Sequence, residues 1–141
     1  MFKVIHTDKA SAALGHYTQA IVVPPGHAFI FVSGQIGLIP GASDICDGHS
    51  AVVQTELAMR NAQAILREAG ADLKNVVFAT VLLADMADMA AVNAEYASLF
   101  GDHKPARASF QPASLPRGAK VEIVLTAAVW VPTGAGDSAP A

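Results

Sequence analysis

Residues 121–131 read Val-Glu-Ile-Val-Leu-Thr-Ala-Ala-Val-Trp-Val. Eleven residues rich in β-branched side chains, with a turn sequence before them and Pro132 after, spell a strand. A strand with one wet face alternates apolar and polar residues, but here both alternations are apolar and only Glu122 carries a charge. Both faces of this strand therefore need cover, which places it inside a sheet with something packed on each side.

Working outward, residues 29–33 and 76–84 have the same apolar, β-branched character, and residues 18–23 form a weaker strand. The Pro24-Pro25-Gly26 break makes 18–23 and 29–33 an expected hairpin. Helical spacing occupies the stretch between Asp47 and Gly70, with Val53, Leu57, Ala58, Ala64 and Ile65 along one broad face. Asp47 or Ser50 is its N-cap and Gly70 its stop. A second helix starts at Asp88, carries Met89, Val92, Tyr96, Leu99 and Phe100 on one face, and ends at Gly101. The order β-β-α-β-α-β predicts an α+β sandwich, with two helices packed on one face of a single sheet. Two helices cannot cover both faces of the last strand, so self-association is the economical cover for the second.

The 141 residues make one domain at the usual ~150 residues per domain. Residues 1–131 are read as that domain and 132–141, rich in Gly, Ala and Pro, as a flexible C-terminal tail. Charged residues are 15% of the chain and apolar ones 52%, against roughly 25% charged in ordinary soluble domains; this excludes a disordered chain and points to buried subunit surface. The net charge is −3, without any basic run, so an extended nucleic-acid surface is not expected. Cys46 is the only cysteine, which removes intrachain disulfides and multi-cysteine metal cages and suggests a reducing compartment, the cytoplasm by default. No apolar run reaches the ~18 residues of a membrane span, and the N-terminus lacks a signal-peptide core.

The five histidines, at positions 6, 16, 27, 49 and 103, lack the i, i+4 or His-x-His spacing of a metal site. No glycine pattern marks a nucleotide cradle; Gly34 and Gly37 read as a strand end. Arg107 lies in a segment with prolines at 105 and 112 and is either a two-pronged clamp for a carboxylate or phosphate, or a surface or subunit-bridging arginine. Glu122 either holds a water or sits at the exposed start of its strand. Asn93 flanks the apolar stripe of the second helix, and Tyr17 precedes a strand and packs at the sheet edge.

These pieces come in an order that resembles the RidA family, also called YjgF/YER057c/UK114. The matching segments are 15–20 (Gly-His-Tyr-Thr-Gln-Ala), 32–37 (Val-Ser-Gly-Gln-Ile-Gly), Asn61 with the helix end at 68–70, 92–96 (Val-Asn-Ala-Glu-Tyr), 105–109 (Pro-Ala-Arg-Ala-Ser) and 115–123 (Leu-Pro-Arg-Gly-Ala-Lys-Val-Glu-Ile). The resemblance implies a chorismate-mutase-like α+β fold, a homotrimer with sites between subunits, and cofactor-free, metal-free hydrolysis of reactive enamines and imines such as 2-aminoacrylate, 2-iminopropanoate and 2-iminobutanoate. It makes Arg107 the carboxylate clamp and Glu122 the group that positions water. Gly34 would offer a backbone carbonyl, Tyr17 and Asn93 would line the pocket, and the Ser109 amide would assist the carboxylate. His16 replaces the usual proline before the tyrosine, and Ser109 replaces a frequent cysteine. Other readings are a pathway-dedicated deaminase of a larger, aminomuconate-like substrate, a non-catalytic binder of small carboxylic acids, and, ranked last, an endoribonuclease or translation inhibitor.

Overall fold

The computed structural model describes residues 1–42 and 48–139, and Asp47 and Cys46 lie outside them. Strand β6, Val121–Trp130, is central to a four-stranded mixed sheet with order β3-β6-β4-β5. Strand β3, His27–Gln35, and strand β4, Val76–Leu83, flank it antiparallel, while β5, Ala106–Phe110, runs parallel to β4 on the far edge. Parallel neighbours need a crossover, and helix α2, Met89–Phe100, supplies it between β4 and β5. Helix α1, Ala51–Glu68, packs on β6, β3 and α2, so the two helices share one side of the sheet as expected.

The alternation of β6 divides the molecule. Val121, Ile123, Leu125 and Ala127 are buried toward the helices, together with Ala79, Val81 and Leu83 of β4 and Val32 of β3. The opposite face carries Glu122, Val124 and Thr126, in register with Leu82, Thr80 and Phe78, and Phe31 opposes Thr126. Phe31 is 79% exposed there, and Phe29, Phe78 and Phe110 are each exposed by about half or somewhat less. Phe29 and Phe31 stack on each other at 6.2 Å.

Three expectations are corrected. Residues 20–22 form strand β2, Ala20–Val22, but it pairs with β1, Lys3–Ile5, in a separate two-stranded ribbon and makes no hairpin with β3. Pro24 and Pro25 have no N–H for a ladder, and the carbonyl of Gly26 accepts from Val131 N–H at 2.9 Å, so the turn residues serve the β3–β6 pairing and not a hairpin. The short edge strands β1 and β5 were not expected at all. On α1, the buried stripe is Ala51, Gln54, Thr55, Ala58, Met59, Ala62 and Leu66. Of the expected face only Ala58 is buried; Val53 and Leu57 are half-buried, and Ala64 and Ile65 are exposed. The helix is rotated because two polar side chains are satisfied inside. Gln54 Nε2 donates to the His49 carbonyl while its Oε1 accepts from Lys120 N–H, and Thr55 Oγ1 donates to the Ala51 carbonyl.

The helix limits follow local rules. Ser50 is the N-cap, its hydroxyl accepting from Val53 N–H at 3.2 Å, and Gly70 takes a positive φ just past the C-cap. Asp88 stands at the N-cap of α2 without a capping hydrogen bond of its own.

Gly37 lets α1 close on the sheet, since a Cβ there would lie 2.9 Å from the Gln54 Cα. Backbone cannot yield as a side-chain tip can. Gly37→Ala should therefore cost about 1–3 kcal/mol, read as a lower urea midpoint with unchanged slope.

Candidate active site

Period-2 alternation on β5 sends Arg107 and Ser109 toward the helices, opposite Ala79 and Val81, both fully buried. Asn93 lies on α2, and Arg107 Nη1 donates to its Oδ1 at 2.7 Å. Tyr96, three residues further along the same helix, puts its ring 4.9 Å from the guanidinium carbon, and Tyr17 brings a second ring to 5.2 Å. The loop that carries Tyr17 is tied to β5 by Thr18 N–H, which donates to the Pro105 carbonyl, and is tightened by Leu14 N–H donating to the Tyr17 hydroxyl. Gly15 fits against Nη2, where a Cβ would come within 2.8 Å.

The result is a half-buried guanidinium held by an amide and two aromatic rings, and none of the ion pairs among the described residues engages it. Burial pushes the Arg107 pKa down, opposed by Tyr96 and Tyr17, yet a guanidinium remains charged at any working pH. A partly desolvated cation with no carboxylate partner among the described residues is a candidate receptor for an anion.

It opens into a cleft of ≈ 750 Å³. Tyr17, Asn93, Arg107 and Ser109 make its polar pole, and Leu14, Met86, Ala87, Met89 and Ala90 make its apolar wall. The Ser109 hydroxyl is buried without a hydrogen-bond partner. Four of the six residues singled out in the sequence thus meet in one cleft. Glu122 and Gly34 also meet, but on the opposite face of the sheet. The register slip between Val32 and Gln35 inserts one extra residue into β3, and the Glu122 carboxylate lies directly over Gly34, where a Cβ would overlap its Oε1.

By its spacing Tyr96 belongs to the apolar core. Its three-residue spacing from Asn93, which puts both on one helix face, was the available signal for a role beside Arg107. The apolar wall of the cleft had no sequence signal, because Leu14 and Met86 come from separate loops. His16, in place of the usual proline, donates from Nε2 to the His103 carbonyl at 3.0 Å and sets its ring edge-on to Tyr96. Among the described residues no three His, Cys, Asp or Glu side chains converge as metal ligands, and no helix is long and apolar enough to cross a membrane.

The family model described as Endoribonuclease L-PSP matches residues 7–129. The chain belongs to that family, the RidA family. The 2-iminobutanoate/2-iminopropanoate deaminase of Mus musculus is 47% identical over 121 residues, covering 86% of this chain and 87% of that one. Among solved structures, RidA of the Antarctic bacterium Psychrobacter sp. PAMC 21119 is 36% identical with a TM-score of 0.67, covering 90% of this chain and 99% of that one. TdcF of E. coli with bound serine is 34% identical with a TM-score of 0.66, covering 89% and 97%. The α+β architecture is the RidA fold.

Gly34→Ala should move the Glu122 carboxylate and leave the fold in place, since the atom it meets is the end of a flexible side chain. A crystal structure of the variant should show Glu122 turned away from residue 34, with a melting temperature within about 2 °C of the parent.

Proposed function

We propose that this protein hydrolyses reactive 2-imino acids, and their 2-enamino tautomers, to 2-keto acids and ammonia. The observation that carries the reading is Arg107: a half-buried guanidinium, bracketed by two tyrosine rings and facing a cleft, in a chain whose well-covered relatives are named for deamination of 2-iminobutanoate and 2-iminopropanoate. The smallest substrates of this class present a carboxylate next to a C=N bond. Two parallel N–H donors of Arg107 suit the carboxylate and orient the bond beside it.

An enamine such as 2-aminoacrylate first takes a proton at C3 and gives one up from nitrogen, becoming the imine. Water then adds to C2, forming a C–O bond as the C=N π pair moves to nitrogen, which takes a proton. The carbinolamine hydroxyl proton is passed to nitrogen, C=O forms, and the C–N bond breaks with its pair leaving on ammonia. The balance is imine plus water to keto acid plus ammonia, with no redox change and no co-reactant. Glu122 is the group we assign to hold the water and pass its protons, Gly34 offers its carbonyl to the substrate nitrogen, and the Ser109 amide joins Arg107 on the carboxylate. Tyr17 and Asn93 complete the pocket.

Arg107 and Glu122 lie on opposite faces of their own sheet, so one chain cannot present both to one substrate. The reading therefore needs a second copy to bring its Glu122 and Gly34 to the Arg107 cleft. The exposed Phe29, Phe31, Phe78 and Phe110 on the Glu122 face supply an apolar surface for that assembly, which we take to be a homotrimer. Residues 1–131 act as its single domain, with 132–141 outside it. One cysteine in the chain suits a reducing compartment, and the cytoplasm is the proposed location. A nuclease role has less support, because the net charge is −3 and the nine basic residues are scattered along the chain.

The deciding experiment generates imines in place with an amino-acid oxidase and measures ammonia and keto-acid release with and without the protein. Acceleration is expected; an unchanged rate across small and bulky imines would overturn the reading. Arg107→Lys should fold normally and lose activity on the order of 100-fold, because a point charge cannot hold the carboxylate by two bonds. Light scattering should report about three times the 14.5 kDa chain mass, and Phe31→Glu should lower it.

A further inference from the structure

Tyr96 is fully buried, and its hydroxyl finds no hydrogen-bond partner. Phenylalanine would fill the same space without stranding a polar group. What an aromatic side chain offers there, and an aliphatic one does not, is a ring. The guanidinium carbon of Arg107 lies 4.9 Å from the ring centroid, well within the range of a cation–π contact. Burial raises the phenol pKa, so the hydroxyl stays protonated and the contact is with a neutral ring.

The ring is itself held in place. Phe100 packs on it at 4.6 Å, and the His16 imidazole meets it edge-on at 6.0 Å. His16 is anchored on the His103 carbonyl at 3.0 Å, and His103 Nε2 donates to the Val76 carbonyl at 2.7 Å, where β4 begins. A packed chain therefore runs from the sheet through two histidines to the face of the guanidinium. Tyr17 meets Arg107 at the cleft itself, whereas Tyr96 does not line the cleft. Its influence on a bound carboxylate must pass through Arg107.

We propose that Tyr96 is a positioning residue: its ring presets the orientation of the Arg107 guanidinium and so sets the affinity for the substrate carboxylate, without touching the substrate. The carboxylate part of this proposal rests on the deaminase reading, while the orienting of Arg107 does not. Ordering a long side chain before the anion arrives removes that cost from binding. The effect belongs to KM and to product affinity rather than to kcat.

The test compares Tyr96→Phe with Tyr96→Leu and Tyr96→Met, the last an unbranched filler in case leucine unfolds the chain. Three quantities are measured on protein shown to be folded by circular dichroism: KM and kcat with 2-iminobutanoate generated in place, the Kd of 2-oxobutanoate by calorimetry, and the NMR order of the Arg107 Nε–H with no ligand present. Tyr96→Phe should keep KM and Kd within about threefold and melt no lower than the parent. The Leu and Met variants should raise KM and Kd about tenfold, keep kcat within about twofold, and loosen Arg107. Unchanged Kd with an unchanged Arg107 signal in a folded Leu or Met variant overturns the proposal, as does a Phe variant as impaired as the Leu one. If the parent neither releases ammonia nor binds 2-oxobutanoate, the deaminase reading fails alone, and the Arg107 signal still decides the positioning of the guanidinium.

Discussion

A strand that is apolar on both faces cannot rest at the surface, and β6 imposes that constraint on everything around it. Its Val121, Ile123, Leu125 and Ala127 side is closed by α1 and α2 and becomes the core of the chain. Its other side keeps Val124 and Thr126 beside exposed phenylalanines of β3, β4 and β5, and places Glu122 among them. Because side chains alternate with a strict period of two, the residues on the helical face of β5, Arg107 and Ser109, are turned away from Glu122. The apolar pattern and the separation of the two ionised groups have the same origin. A proposed assembly that covers the open face also brings the two groups together.

Arg107 shows how the fold maintains a desolvated charge without neutralising it. A carboxylate partner would satisfy the guanidinium and close the site to an anion. Two aromatic faces and one amide oxygen instead compensate part of the burial while leaving the net charge available. Gly15 lets the loop come this close, since a Cβ there would push on the end of the guanidinium. On the far side of the sheet Gly34 has the matching role, since only a residue without a side chain leaves room for the Glu122 carboxylate.

Much of this was legible from residue types. Helix α2 followed its apolar spacing, with Val92, Tyr96 and Phe100 buried and Met89 and Leu99 packed against the core. Helix α1 did not, because Gln54 and Thr55 are polar residues whose hydrogen bonds come from His49, Lys120 and Ala51, and only Ala51 is within a helical turn. Strands β1 and β5 are short edge strands that acquire their geometry from the partner they pair with, so local pattern carried little information about them. Tyr96 was read as core, which is correct for its burial and silent about the guanidinium packed on its ring.

The sequence by itself determined the class of fold, the main strands and helices, the family, and the residue types on which a site could be built, because alternation, helical spacing and glycine stops are local properties of the chain. In the doubly apolar run of residues 121–131 it also raised the expectation of cover on a second face, which the single chain leaves open and which belongs to the proposed assembly. Only the tertiary structure decided which of those residues meet: that Tyr17, Asn93, Arg107 and Ser109 share one cleft, that Glu122 sits over Gly34 on the other side of the sheet, and that a buried tyrosine backs the guanidinium. Those are contacts between segments far apart in the chain, set by strand register, a one-residue bulge and the rotation of a helix about its axis, and none of these is encoded in any local stretch.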